Sequence, residues 1–272
     1  MNDFAGLMAG KRGLIMGVAN DHSIAWGIAR QLGAQGAQMA FTYQNESFGK
    51  RLQPLAQSVG AEILLPCDVS DQASIDAVFA QLAESWGSVD FVVHAIAYSD
   101  KEELKGRFID TSRDNFLRTM DISCYSLTAV TRAAVPLMKD GGAVLTLSYM
   151  GAVKVMPDYN VMGVAKAALE ASVRYLADDL GPQQIRVNAI SAGPMRTLAG
   201  SAVGSARYVY KMSRLHSPLR ANVELSHVGN AGLYLLSDMS AGTTGEVHYV
   251  DAGYNIVGMP DPDQLAKQFD AE

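Results

Sequence analysis

Tyr159 and Lys166 are seven residues apart. On an α-helix that step is nearly two turns, so both side chains leave the same face, one above the other. An ammonium beside a phenol favours the phenolate-like form and strengthens the hydroxyl as a proton or hydrogen-bond donor. Tyr149 stands just after an apolar run and supplies a second phenol. Taken singly, a helical tyrosine is usually a packing residue and a lone lysine a solvated one. As a pair on one face they point to acid or electrostatic chemistry on an oxygen of a bound ligand. Other constellations are weaker. The five histidines (His22, His94, His216, His227, His248) have no paired spacing, so no metal is expected. Ser148, His94 and Asp68 suit a hydrolase triad by type, but no Gly-x-Ser-x-Gly elbow surrounds Ser148.

The elements that must position the pair follow from hydrophobic patterning. Apolar runs at 13–18, 37–42, 63–65, 89–93, 143–147, 185–190 and 246–250 read as strands. Segments 23–35, 47–59, 71–86, 113–138, 159–180 and 226–236 read as helices. Pro136 marks the end or a kink of the fourth, and Gly181-Pro182 stops the fifth. Strands that are apolar throughout and separated by helices argue a parallel sheet buried on both faces. Right-handed crossovers then give an α/β doubly wound, Rossmann-like fold with helices on both sides. The alternation runs to residue 250 without a composition break, so residues 1–272 are expected to form a single domain. The least regular segment, 199–220, follows a strand end, and a substrate loop is expected at about 195–220. The polar tail after Met259 is expected to be loose or to dock on a neighbouring subunit.

The expected dinucleotide site lies at the carboxyl edge of such a sheet. Gly17 closes the first strand, and the turn to Ser23 and Ile24 leaves a helix N-terminus free for a pyrophosphate. The Gly-x-Gly-x-x-Gly spacing is absent, since Gly17 and Gly27 are ten apart. Position in the fold therefore carries more weight than motif. Gln44 follows the second strand, where the adenosine ribose is met. Lys50 and Arg51 come later, which favours NADH over NADPH. Asp68 is placed to accept from an adenine amino group, or equally to cap the next helix.

Composition is that of an ordinary globular chain: 272 residues, 49% hydrophobic, 18% charged, net charge -6. The acidic balance argues against nucleic acid. No leader-like N-terminus and no run long enough for a bilayer are present, so a cytoplasmic protein without membrane association is expected. Cys67 and Cys124 read as small buried thiols.

At these residues the chain resembles the short-chain dehydrogenase/reductase superfamily. Its commoner branch carries Tyr-x3-Lys, but position 162 here is Met. The Tyr-x6-Lys spacing is similar to that of the NADH-dependent enoyl-[acyl-carrier-protein] reductases of bacterial type II fatty acid synthesis. Further matching stretches lie at 41–45, 67–69, 145–149, 159–166, 186–194 and 196–199, and the match runs from about residue 10 to 257. The resemblance implies reduction of a trans-2-enoyl thioester by NADH, an acyl carrier protein as partner and a homotetramer. It implies that Gly17, Ser23, Ile24, Gln44, Asp68, Val69, Ile96, Lys166, Met195, Arg196, Thr197, Leu198 and Ala199 contact the dinucleotide. Tyr159 would donate to the thioester oxygen, Tyr149 would orient the acyl group and Ser99 would lie at the substrate mouth. Two departures stand out: Ala97 where the family often has Gly, and Met195 in place of the usual Ile. On the residues alone, two alternatives stay open: another enzyme of the superfamily acting on a carbonyl or alcohol, and a dinucleotide-sensing protein without turnover.

Overall fold

The computed structural model describes residues 6–201 and 203–262, with the side chains of Ala199 and Ser201 outside that set. The expected apolar runs pair as one sheet. Its strands are β1 (Arg12–Met16), β2 (Gln38–Tyr43), β3 (Ile63–Pro66), β4 (Phe91–His94), β5 (Gly142–Ser148), β6 (Ile185–Ala192) and β7 (Val247–Val250). They lie in the order β3-β2-β1-β4-β5-β6-β7, every pair parallel. Between them run α1 (Ile24–Ala34), α2 (Glu46–Ser58), α3 (Gln72–Trp86), α4 (Arg113–Met120), α5 (Ser126–Ala134), α6 (Asn160–Leu180), α7 (Leu198–Ser201), α8 (Ala206–His216) and α9 (Leu225–Leu236).

The period-two pleat sorts each strand's side chains between two cores. Ile15 and Val93 join a cluster with Trp26, Ile28 and Leu32 of α1, Leu52 of α2 and Val228 of α9. Leu14, Met16 and Val92 point the other way, to Phe79 of α3, Val130 of α5 and Leu169 and Val173 of α6. Helices thus cover both faces, which is why the strands read as unbroken apolar runs. The chain builds outward from β1 to β3, returns to β4 beside β1, and then builds the other way. β1 and β4 are therefore the switch point, and a crevice opens beyond their carboxyl ends.

Three expectations change. The helix read over 113–138 is interrupted by a π-helical turn over Asp121–Tyr125, and Pro136 falls in a 3-10 turn over Val135–Leu137. The segment read as least regular, 199–220, is largely helical: it holds most of α7 and all of α8, an amphipathic helix with Val209, Ser213 and His216 buried at steps of four and three. Its buried stripe contains a serine and a histidine, so apolar periodicity does not reveal it. Tyr159 is not inside α6 but is its N-cap residue, at φ -116° and ψ -18°. The tail beyond residue 262 lies outside the described residues.

Candidate active site

The first loop of the switch point is built around Gly17. Its φ is +90°, and a Cβ there would lie 2.0 Å from the Ala95 carbonyl oxygen in the loop after β4. Only glycine lets the two loops touch in this conformation. The turn that follows is held from within. Ser23 Oγ accepts from the N–H groups of Ala19 (3.0 Å) and Asn20 (3.1 Å), so this hydroxyl organises the turn. The N–H groups of Ile24 and Ala25, at the first turn of α1, have no backbone partner among the described residues. Gly27 belongs to α1 packing instead: a Cβ there would meet Leu225 of α9 at 2.9 Å.

Gln44 is exposed just past β2, one residue before Asn45, which caps α2 by accepting from the Phe48 N–H. Arg51 leans back over the Phe48 ring, 5.8 Å from its centroid. The cap that Asp68 was read as a candidate for is made by Asp71, which accepts from Ala73 N–H. Asp68 Oδ1 accepts from the backbone and hydroxyl of Ser70 (3.0 and 2.7 Å), and Val69 beside it is half-buried. Ile96 is half-buried in the loop after β4.

His94, fully buried at the end of β4, is 3.0 Å from Thr146 Oγ1 through Nδ1 and 2.8 Å from Ser126 Oγ through Nε2. Burial, and then the Lys166 charge, hold its pKa down to about 3, so the ring is neutral. Ser99 does not present a free hydroxyl at the mouth. Its Oγ accepts from Thr119 Oγ1 (2.8 Å) and Asn115 Nδ2 (3.2 Å), and the residue is thereby tied to α4. The π turn supplies the next ties: Ser123 Oγ bonds both the N–H and the carbonyl of Tyr98 at 2.9 Å.

Tyr149 and Tyr159 meet at the carboxyl end of β5. Their rings form an edge-to-face pair with centroids 5.1 Å apart and planes at 69°. The Tyr159 ring lies over Gly151, where a Cβ would come within 2.4 Å of it. Backbone around Tyr159 is held in unusual conformations, with φ of +53° at Asp158 and +25° at Asn160. Asn160 Nδ2 donates to the carbonyls of Glu103 and Lys105 (both 3.2 Å), which fixes the entry to α6. Neither phenol hydroxyl has a hydrogen-bond partner among the described residues. Lys166 is buried, and its Nζ donates to the Leu147 carbonyl at 2.7 Å. Burial lowers its pKa to about 8, against the opposing pull of Cys124 and Glu170. The phenolate-like shift expected for Tyr159 does not occur. Burial, then Tyr149 and Glu170, hold its pKa well above the ordinary tyrosine value, so it is a protonated donor. Burial raises Tyr149 in the same way.

After β6, Met195 packs against the core shared with α1, and Thr197 Oγ1 caps α7 by accepting from Gly200 N–H at 2.9 Å. Arg196 sits over the Tyr210 ring of α8, 4.9 Å from its centroid. Leu198 is exposed, and Ala199 follows it in α7 with its side chain outside the described set. A shallow groove of about 800 Å³ along α2 contains Tyr43, Lys50 and Gln53 but neither tyrosine of the pair nor Lys166.

A parallel sheet with a glycine turn and a free helix N-terminus on one side of its switch point, and a Tyr/Lys face on the other, defines a dinucleotide-dependent oxidoreductase of Rossmann-like fold. Comparison with known proteins narrows this class. A family model described as enoyl-(acyl carrier protein) reductase matches residues 17–255. The chain is 63% identical over 255 residues to enoyl-[acyl-carrier-protein] reductase [NADH] 2 of Rhizobium meliloti, covering 94% of this chain and 95% of that one. Among solved structures, the enoyl-(acyl-carrier-protein) reductase of Anaplasma phagocytophilum in complex with NAD is 59% identical, with a TM-score of 0.91 over 95% of this chain and 97% of that one. FabI of Candidatus Liberibacter asiaticus gives 56% identity and a TM-score of 0.93 over 94% and 100%. The chain belongs to the enoyl-(acyl carrier protein) reductase family.

Proposed function

We propose that this chain reduces the trans-2 double bond of enoyl thioesters carried on acyl carrier protein, using NADH, as the last step of the type II fatty acid elongation cycle. One observation carries the reading. The Tyr159 phenol is protonated and unengaged, and it stands at the threshold of the helix that carries the buried Lys166. What supports a dinucleotide here is the glycine turn at Gly17, which packs directly on Ala95, followed by the α1 N-terminus at the carboxyl edge of the sheet. Gly17, Ile24, Gln44, Asp68, Val69, Ile96, Lys166 and the run Met195, Arg196, Thr197, Leu198 and Ala199 would hold it, with Ser23 shaping the turn. The exposed Gln44, with Arg51 drawn back onto Phe48, favours an unphosphorylated ribose.

When bound, the nicotinamide supplies hydride to the β-carbon of the enoyl group. Negative charge then collects on the thioester oxygen. Tyr159 donates its hydrogen bond to that oxygen, and Tyr149 orients the acyl group by its edge-to-face contact with Tyr159. Ser99 acts at the mouth only through the loop that it ties to α4. Lys166 holds ribose hydroxyls with the donors not used by Leu147. Its charge fades as pH rises through about 8, so kcat/KM for NADH is expected to fall above that pH. Turnover of a crotonyl thioester but not of ketones or secondary alcohols, followed through NADH absorbance, supports the reading. Turnover of the ketones alone overturns it.

The carrier protein is acidic, and α8 offers a matching stripe. Arg207, Lys211 and Arg214 are exposed at steps of four and three along one face. Reversing the three charges is expected to cut kcat/KM for the carrier-bound substrate about tenfold or more at low salt. A short free thioester should be unaffected. Equal rates for the reversed and parent proteins on the carrier substrate would end the steering role. The exposed Leu117, Tyr125 and Tyr175 on α4, the π turn and α6 suit a homotetramer interface. The working compartment would be the cytoplasm, in keeping with two buried, unpaired cysteines.

A further inference from the structure

Two hydrogen bonds pin α6 to the end of β5, on either side of one peptide. Lys166 Nζ donates to the Leu147 carbonyl at 2.7 Å, and Ser148 Oγ donates to Glu170 Oε1 at 2.5 Å. The next residue is Tyr149. Glu170 is buried at 6% exposure and lies one helical turn beyond Lys166 on the same face. A buried carboxyl is costly unless it is bonded and balanced by charge, so its presence here needs a reason. Ser148 supplies one bond, and no substrate or cofactor role assigned above includes Glu170.

We infer that Glu170 is a positioning residue of this site. Through Ser148 it fixes the strand end that presents Tyr149, and through its charge it holds the Lys166 ammonium. The inference rests on the proposed function for its consequence in catalysis, but not for its geometry. Each neighbour fits a charged Glu170. Burial raises its pKa, whereas the Ser148 hydroxyl, Arg174 and Lys166 all favour the ionised form. Lys166 is faced by Glu170 from its own helix, by the Cys124 thiol from the π turn and by His94 from β4. Glu170 is faced by Lys166, Arg174 and Tyr159 along α6, by Ser148 from β5 and by Tyr249 from β7. His94 stays neutral above about pH 3, and the two tyrosines stay protonated well past neutrality. Among the described residues, Glu170 is thus the one carboxyl group that these contacts set against the lysine.

The test compares Glu170→Gln, Glu170→Asp and Ser148→Ala in the full chain. Lys166 is titrated by NMR of its side chain without cofactor, and the NADH Kd is measured by fluorescence from pH 6 to 9. Glu170→Gln is expected to move the Lys166 midpoint down by about one pH unit, since a close opposite charge shifts a pKa by about 1–3 units. The NADH Kd should then rise several-fold at pH 8 and stay near the parent value at pH 6. Glu170→Asp keeps the charge and should keep the midpoint. Ser148→Ala should raise KM for the enoyl thioester with the NADH Kd unchanged. A Lys166 midpoint that does not move in folded Glu170→Gln overturns the inference. So does a pH-independent loss shared by Gln and Asp, which marks packing alone. Should Glu170→Gln fail to fold, a Ser148→Ala protein with unaltered thioester KM overturns the Tyr149 limb, and a shifted Lys166 midpoint in Glu170→Asp overturns the charge limb. The titration uses cofactor-free protein, so it reads out even if no enoyl thioester is turned over.

Discussion

Tyr159→Phe is expected to lower kcat for enoyl thioester reduction by about 10²–10³-fold and to leave the NADH Kd near its parent value. The size follows from removing one preorganised donor to a developing oxyanion, typically about 3–4 kcal/mol in the transition state. The split follows from geometry. The phenol hydroxyl has no hydrogen-bond partner among the described residues, so its loss breaks no bond seen there. The ring still packs edge-to-face on Tyr149 and over Gly151. The phenol is held well above the ordinary tyrosine pKa by burial, so it serves as a neutral donor and gives no alkaline limb of its own near neutrality. Lys166→Ala should show the opposite split, with NADH binding weakened first. Single-turnover rates at saturating NADH separate the two. Equal turnover by parent and Tyr159→Phe protein removes Tyr159 from the mechanism.

The second large effect is expected at Gly17. In Gly17→Ala a methyl group would lie 2.0 Å from the Ala95 oxygen and 2.7 Å from its carbonyl carbon, both backbone atoms that no rotamer change can move. The φ of +90° adds a conformational cost of about 1–2 kcal/mol for a residue with a Cβ. Relief requires the loops after β1 and β4 to part. These loops flank the α1 N-terminus and carry Ala95 and Ile96, so stability and cofactor binding should fall together. A melting temperature lower by roughly 5–10 °C is expected if the combined cost is a few kcal/mol. NADH affinity should fall as well, because the helix N-terminus beside the displaced loops would no longer meet the pyrophosphate squarely. Differential scanning calorimetry and NADH fluorescence titration on one preparation check both. Unchanged melting with unchanged binding would mean that the loops are not in contact as described.

The sheet was legible because its strands are buried on both faces and spell unbroken apolar runs, as in Leu14-Ile15-Met16 and Val92-Val93. The helix stops were legible where glycine and proline end them, as at Gly181-Pro182. What stayed hidden depends on distant contacts. The π turn exists where Ser123 reaches the Tyr98 backbone and Ser126 reaches His94, contacts across 25 and 32 residues. The α6 start falls at Asn160 because that side chain is clamped by carbonyls 55 and 57 residues away. At the site, the Tyr/Lys spacing was readable from types alone. Glu170 was not, since a glutamate on a long helix reads as solvated until Ser148 is seen to bond it. Ser23 was expected at the dinucleotide and Ser99 at the substrate mouth, but types alone could not show that both hydroxyls bond neighbouring loop residues.

The central claim is that hydride goes to carbon while Tyr159 serves the thioester oxygen. Incubating the chain with a crotonyl thioester and NADH deuterated at C4 on the transferred face, then examining the product by mass spectrometry and NMR, tests this most directly. The predicted product is the saturated butyryl thioester carrying one deuterium at C3, at a rate that falls sharply in Tyr159→Phe. Deuterium at C1 of an aldehyde or alcohol, or recovery of the crotonyl thioester with NADH unconsumed, would contradict it.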